Sequence, residues 1–202
     1  MDSQSYLNEI SSVTRPAKSS KPDFLQNKFV LVGIIGVIGI ILMAVVGMVL
    51  GGGRAGNKEQ SIELKLRLDS TSKVISDYQK SVKSSDLRSS SASLDGVVTN
   101  TNRDLTAYIT EVYNFETPDQ NTQATEDERQ EALEAELFEA KINGILDRIY
   151  AHKMAYEISI IMSMESKLYD SVSNEDLKGI IKTSYDSLKI LQDKFSGFSE
   201  AK

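Results

Sequence analysis

The chain has one histidine, His152, so acid–base chemistry or metal binding through an imidazole would have to use it. Di-iron helical bundles combine carboxylates with a Glu-x-x-His pair. The residue three positions before His152 is Ile149, so that pair is absent. A serine triad would also need His152, and no glycine-rich nucleophile turn surrounds any serine. Because His152 lies on an apolar stripe between Ile149 and Tyr156, we interpret it as a hydrogen-bonded histidine in the core or at its boundary.

Carboxylates are densest in the stretch from Glu126 to Glu139. They lack the glycine turn and the ligand spacing of a calcium-binding EF-hand loop. We therefore interpret the stretch as the solvated face of a helix. The chain also contains no phosphate-binding glycine loop and no dinucleotide fingerprint. These observations predict a protein that is not an enzyme, with no catalytic residue, no cofactor and no metal site.

Composition excludes further classes of site and partner. The chain contains no cysteine, which excludes disulfides, thiolate zinc sites, iron–sulfur clusters and cysteine nucleophiles. After Asn57 there are 18 Lys and Arg residues against 26 Asp and Glu residues, a net charge of −8. A nucleic-acid partner requires a basic face that neutralises phosphates, so we expect none.

The elements that would have to position any site are organised around one apolar run, Phe29 to Leu50, which carries no charge and no proline. About 20 apolar residues match the thickness of a bilayer. The run predicts one transmembrane helix and divides the chain into four parts. These are a mostly disordered tail (1–27), the span (28–50), a glycine-rich tether (51–57) and a helical domain (58–202).

Basic residues near the span predict its orientation. Four of them precede it closely and are opposed only by Asp23: Arg15, Lys18, Lys21 and Lys28. The positive-inside rule then places the tail in the cytoplasm and the large domain outside it. The apolar run is longer than a signal peptide's, which is about 7–15 residues, and Gly53-Arg54-Ala55 is a poor cleavage site. We therefore predict an uncleaved anchor in the cell membrane with the lipid bilayer as one partner.

Two segments are candidate interaction sites. In the span, Gly47 and Gly51 form a small-xxx-small pair, with Ala44 one turn earlier, which favours close helix contact and self-association. Glycine is also simply common in membrane helices, so both interpretations stay open.

In the tail, four apolar residues recur at helical spacing and predict a short docking helix: Tyr6, Leu7, Ile10 and Val13. The alternative is a fraying turn without a role, because isolated helices this short are marginal.

Beyond the tether, four amphipathic segments have apolar stripes with alternating spacings of four and three residues. They are Leu64–Val82, Leu87–Phe115, Glu126–Val172 and Leu177–Phe198. Thr125 and Glu128 resemble a capping box that would start the third segment. At about 45 residues this segment would reach roughly 70 Å as one helix. It has a second stripe from Phe138 to Tyr156, and Asn143-Gly144 is its most favourable position for a kink.

The sequence therefore predicts an all-α protein: a single transmembrane helix followed by an antiparallel four-helix-type bundle with one long helix. Two classes of function fit this architecture. One is a membrane-anchored, non-catalytic module outside the cytoplasm that binds a protein or envelope partner, or another copy of itself. The other is a ligand-sensing bundle that relays a signal through the single span.

Overall fold

The computed structural model describes residues 54–115 and 117–198, with side chains from Asn57 onward. These residues form five α-helices and no strand: α1 (Arg54–Tyr78), α2 (Ser85–Tyr113), α3 (Gln120–Ile142), α4 (Leu146–Ser171) and α5 (Glu175–Ser196). A 3-10 turn, Gln79–Ser81, follows α1. The prediction of an all-helical bundle is confirmed for this part of the chain. Helix α1 begins at Arg54, within the predicted tether.

Polar side chains cap the starts of three helices. Ser84 accepts a hydrogen bond from the Leu87 amide, Asp119 from the Asn121 amide, and Asn174 from the Leu177 amide. Each bond satisfies an amide that the helix leaves unpaired in its first turn. The predicted capping box at Thr125 is wrong, because α3 already begins at Gln120 and Thr125 Oγ1 donates to the carbonyl of Asn121.

The predicted long third helix is also wrong, because the chain reverses between α3 and α4. Gly144 has a φ of +72°, a left-handed conformation that disfavours any side chain. Its amide donates to the Lys141 carbonyl at 3.2 Å, and the Ile145 amide donates to the Ala140 carbonyl at 2.9 Å. These two bonds form a Schellman motif, which terminates a helix. The position predicted for a kink is therefore a complete turn between two helices.

Four of the helices close a ring in the order α1, α2, α5, α4, each packing against the next. Asn57 Nδ2 donates to the Ser171 carbonyl, while the Lys83 amide donates to Asp147. The start of α1 therefore lies beside the end of α4, and the two helices are antiparallel. Helix α2 likewise runs antiparallel to α1, since Asn102 Nδ2 donates to Asp69 and Ser72 to Asp95.

Helix α3 packs outside this ring, against α1 and α4. Helix α2 ends at the same end of the bundle where α1 begins, whereas α4 begins at the opposite end. The chain must therefore travel back along the bundle before α4 can start. The 23 residues of α3 make this return parallel to α1, so the ring helices α2 and α4 are connected through a whole helix and not through a short loop.

Most of the predicted apolar stripes face the core. On α5, Leu177, Ile181, Ser184, Leu188 and Leu191 are all buried, as predicted. The second stripe predicted for the third segment is not a buried face. Phe138 and Ile142 on α3 are 57% and 69% exposed, because the reversal at Gly144 separates them from the residues of α4 that continued the pattern.

Within the described residues, no helix is long and apolar enough to cross a membrane. The predicted tail (1–27) and span (28–50) lie outside those residues.

Candidate interaction cleft and buried polar groups

The site residues predicted from the sequence lie outside the described part of the chain. They are the span residues Ala44, Gly47 and Gly51 and the tail residues Tyr6, Leu7, Ile10 and Val13. The described bundle contains two polar features and one cleft that the sequence analysis did not identify as sites.

The cleft lies at the end of the bundle where α1 and α5 end and where α2 and α4 begin. We call it the loop-end cleft; its volume is about 1250 Å³. Serine hydroxyls from the α1–α2 connection and the first turns of α2 surround it, and Leu87, Leu146 and Phe198 supply apolar surface. This mixture of hydroxyl and apolar groups suits a polar partner that also buries some apolar surface.

Three lysines from different parts of the fold converge on the loop-end cleft: Lys83, Lys141 and Lys194. None of them forms an ion pair with another described residue. Asp86 and Asp147 also line the cleft. The Asp147 carboxylate accepts the amides of Lys83 and Ser84 at 2.9 and 2.7 Å, and so holds the α1–α2 connection against α4. The side chains of all three lysines are exposed.

A partly buried ion network joins α1, α3 and α4, in which the glutamates are buried and the arginines are half-buried. Arg67 on α1 contacts Glu126 on α3 at 3.2 Å and Glu157 on α4 at 3.3 Å. Arg129 on α3 contacts Glu126 at 2.5 Å and Glu157 at 2.8 Å. Ser70 on α1 donates to Glu126 as well. We call these five residues the α3 network; its two arginines and two glutamates balance in charge.

The pKa of Arg129 reflects this environment. Burial lowers the pKa of its guanidinium, but Glu157 and Glu126 outweigh burial and raise it. Arg129 therefore keeps its charge inside the bundle, held by the two glutamates that contact it.

Glu126 departs from the interpretation of the acidic stretch as a solvated face. Its neighbours Glu131, Glu136 and Glu139 are exposed, whereas Glu126 is only 9% exposed. The spacing of the apolar stripe of α3 could have identified Glu126 as a buried residue. Extending it backward from Leu133 in steps of three and four residues reaches Gln130 and then Glu126, both of which are buried.

Glu165 on α4 is a third buried acidic residue, and it forms no ion pair with another described residue. Its exposure is 0%, and neither carboxyl oxygen has a hydrogen-bond partner with good geometry among the described residues. Burial raises the pKa of Glu165 to about 8, and Ser184 on α5 opposes this rise. At neutral pH the side chain is mostly the neutral acid, because desolvation disfavours a carboxylate.

His152 is exposed, and so is Tyr156 at 40%. The interpretation of His152 as a core or boundary residue is therefore wrong. The core-facing stripe of α4 runs instead through Ala151, Met154 and Ile158. In the part of the chain that the structure describes, no group of three or more His, Asp or Glu residues is placed to hold a metal ion.

Comparison of the chain with protein-family models, with curated proteins and with solved structures finds no match.

Proposed function

We propose that the protein is a membrane-anchored, non-catalytic interaction module. In this proposal the run from Phe29 to Leu50 anchors the chain in the cell membrane, and the bundle binds a protein or envelope partner, or another copy of itself, outside the cytoplasm. The apolar run and the basic residues before it support the anchor. The loop-end cleft is the observation that carries the binding role.

Two properties of the loop-end cleft support this role. Its three lysines have no ion pair among the described residues, although the domain after Asn57 has a net charge of −8. The buried charged residues of the described chain instead hold helices together in the α3 network or, like Glu165, lie inside the core. The cleft also lies at the end of the bundle opposite the start of α1 at Arg54.

Crosslinking in intact cells tests the proposal. We expect the full chain to form a defined crosslinked product, either with a partner or with itself. Replacing Lys83, Lys141 and Lys194 together by Gln should reduce that product at least about fivefold, because desolvated charged contacts at an interface are costly to lose.

A matched variant separates the cleft from general charge effects. Replacing the exposed lysines Lys73, Lys182 and Lys189 by Gln removes the same total charge elsewhere on the bundle and should leave the product unchanged. Equal loss in both variants, or loss in neither, would contradict a binding role for the cleft.

A sensor that relays a signal through the span is the second candidate, and Glu165 favours it. A neutral acid inside a bundle core leaves the packing of two helices dependent on solution conditions. The two candidates differ in what they require of the span. Replacing Gly47 and Gly51 by Leu keeps the span apolar but blocks close helix contact. A module should still rescue a deletion phenotype with this variant, and a sensor should not.

A further inference from the structure

The contact between α4 and α5 contains a buried carboxyl group that is flanked by apolar residues on its own helix. Glu165 lies on the buried stripe of α4 between Ile161 and Leu168, which are both 0% exposed. Ser184 faces it from α5 and is 3% exposed. The Ser184 hydroxyl and both oxygens of Glu165 lack a hydrogen-bond partner with good geometry. A carboxylate in this position would have neither water nor a counter-charge.

The ionisable groups on the surrounding helices do not neutralise Glu165. The ionisable groups on the stretches of these helices at the same end of the bundle include Lys58, Glu59, Glu63, Lys65 and Arg67 on α1, Arg103, Asp104, Tyr108, Glu111 and Tyr113 on α2, Glu126, Asp127 and Arg129 on α3, Glu157, Lys167, Tyr169 and Asp170 on α4, and Glu175, Asp176, Lys178, Lys182, Tyr185 and Asp186 on α5. None of their charges contributes to the pKa of Glu165, which is determined by burial and by Ser184. Glu126 is already paired with Arg67 and Arg129, and Lys182 is paired with Asp186 at the surface.

We propose that Glu165 makes the packing of α4 against α5 conditional on a proton. The bundle closes around the neutral carboxylic acid, and transfer of its proton to water or hydroxide leaves a carboxylate that the core cannot accommodate. The carboxylate regains hydration only when α4 and α5 separate. The inference depends neither on the membrane anchor nor on the loop-end cleft, so it can fail while the proposed function stands.

The raised pKa of Glu165 determines how closure of the bundle depends on pH. Burial raises this pKa from 4.5 to about 8. Between these two pH values, the closed bundle therefore keeps a proton on Glu165 that the open form has released. Closure is therefore most favourable at low pH and weakens as the pH rises from 4.5 to about 8.

A single engineered thiol reports the separation of α4 from α5, because the chain has no cysteine of its own. Ile181 faces the core from α5 and is 2% exposed. In full-length protein in a non-ionic detergent, Ile181→Cys is labelled with a maleimide between pH 6 and pH 9. The labelling rate of this variant is divided by the labelling rate of the double variant Ile181→Cys/Glu165→Gln. Because both proteins carry the same thiol, the titration of the thiol cancels in the ratio. We expect the ratio to rise by about tenfold or more across this range.

Two further variants test whether another carboxyl group, or a failure to fold, explains the labelling result. Burial, followed by the charge of Glu59, raises the pKa of Glu63 to about 7, so Glu63→Gln tests whether that carboxyl produces the rise instead. Glu165→Met supplies an uncharged side chain of similar length in case the buried amide of Gln prevents folding. A ratio that is constant with pH, or a rise that Glu63→Gln abolishes, would overturn the proposal. Thermal melting of the same proteins without the thiol should show the same pH dependence.

Discussion

Leu105 and Val112 lie one heptad apart on α2, and both belong to its predicted apolar stripe. Leu105 is 0% exposed, whereas Val112 is 49% exposed and the buried position near it is Ile109. Val112 lies one residue before Tyr113, the last residue of α2, so the buried face of this helix ends at Ile109.

This pair provides a prediction at the residue scale. Leu105→Asp should place an unpaired charge in the core and destabilise the bundle by several kcal/mol, enough to unfold it. Val112→Asp on the same helix introduces the same charge at a half-exposed position and should change stability little. Thermal melting followed by circular dichroism of the full chain measures both. Similar melting of the two variants would show that the assigned core face of α2 is wrong.

At the scale of elements, α3 differs from the four ring helices in how it is held. Its buried apolar residues are Leu133, Leu137 and Ala140, and the first half of its inner face consists of Glu126 and Gln130. Buried ion pairs add little net stability once desolvation is counted, although breaking one is costly. The ring of α1, α2, α5 and α4 also closes without α3. Helix α3 is therefore the element expected to detach first.

Hydrogen exchange tests this expectation. Amides of α3 should exchange through a local opening of lower free energy than those of the ring helices, because fewer apolar contacts must break. Glu157→Gln should increase exchange in α3 further, since it leaves the arginines of the α3 network short of one counter-charge; the expected cost is about 3 kcal/mol.

Glu136→Gln is the matched control for that experiment. Glu136 contacts Lys153 at the surface and is exposed, and surface ion pairs contribute about 0–1 kcal/mol. Exchange in α3 should therefore change little in this variant. Exchange of α3 at the same rate as α5 in the unsubstituted protein would contradict the view that α3 is held weakly.

At the scale of the whole molecule, the proposed function depends on the orientation of the chain across a membrane. Arg15, Lys18, Lys21 and Lys28 precede the apolar run and predict that the tail remains inside. Protease added to intact cells, with any outer barrier removed, should degrade residues 57–202 and spare an epitope inserted near Ser3. Degradation of both after permeabilisation is the control. Protection of residues 57–202 in intact cells would reverse the predicted topology.

The sequence determined the local features of the described bundle. Stripes with spacings of four and three residues identified the helical segments and most of the core, because the period of a helix is a local property. Gly144 marked the position where the third segment breaks, since glycine most readily adopts a positive φ.

Only the tertiary structure decided how these segments pair. The predicted third helix became α3 and α4 because the start of α4 must lie beside the end of α1, and no local pattern contains that requirement. Glu126 can be buried because Arg67, which is distant in sequence, pairs with it. Among the described residues, Glu165 lacks a counter-charge because the side chain that faces it from α5 is Ser184 and not a cation. The environment of a charge is determined by every helix that surrounds it, whereas sequence periodicity describes only its own helix.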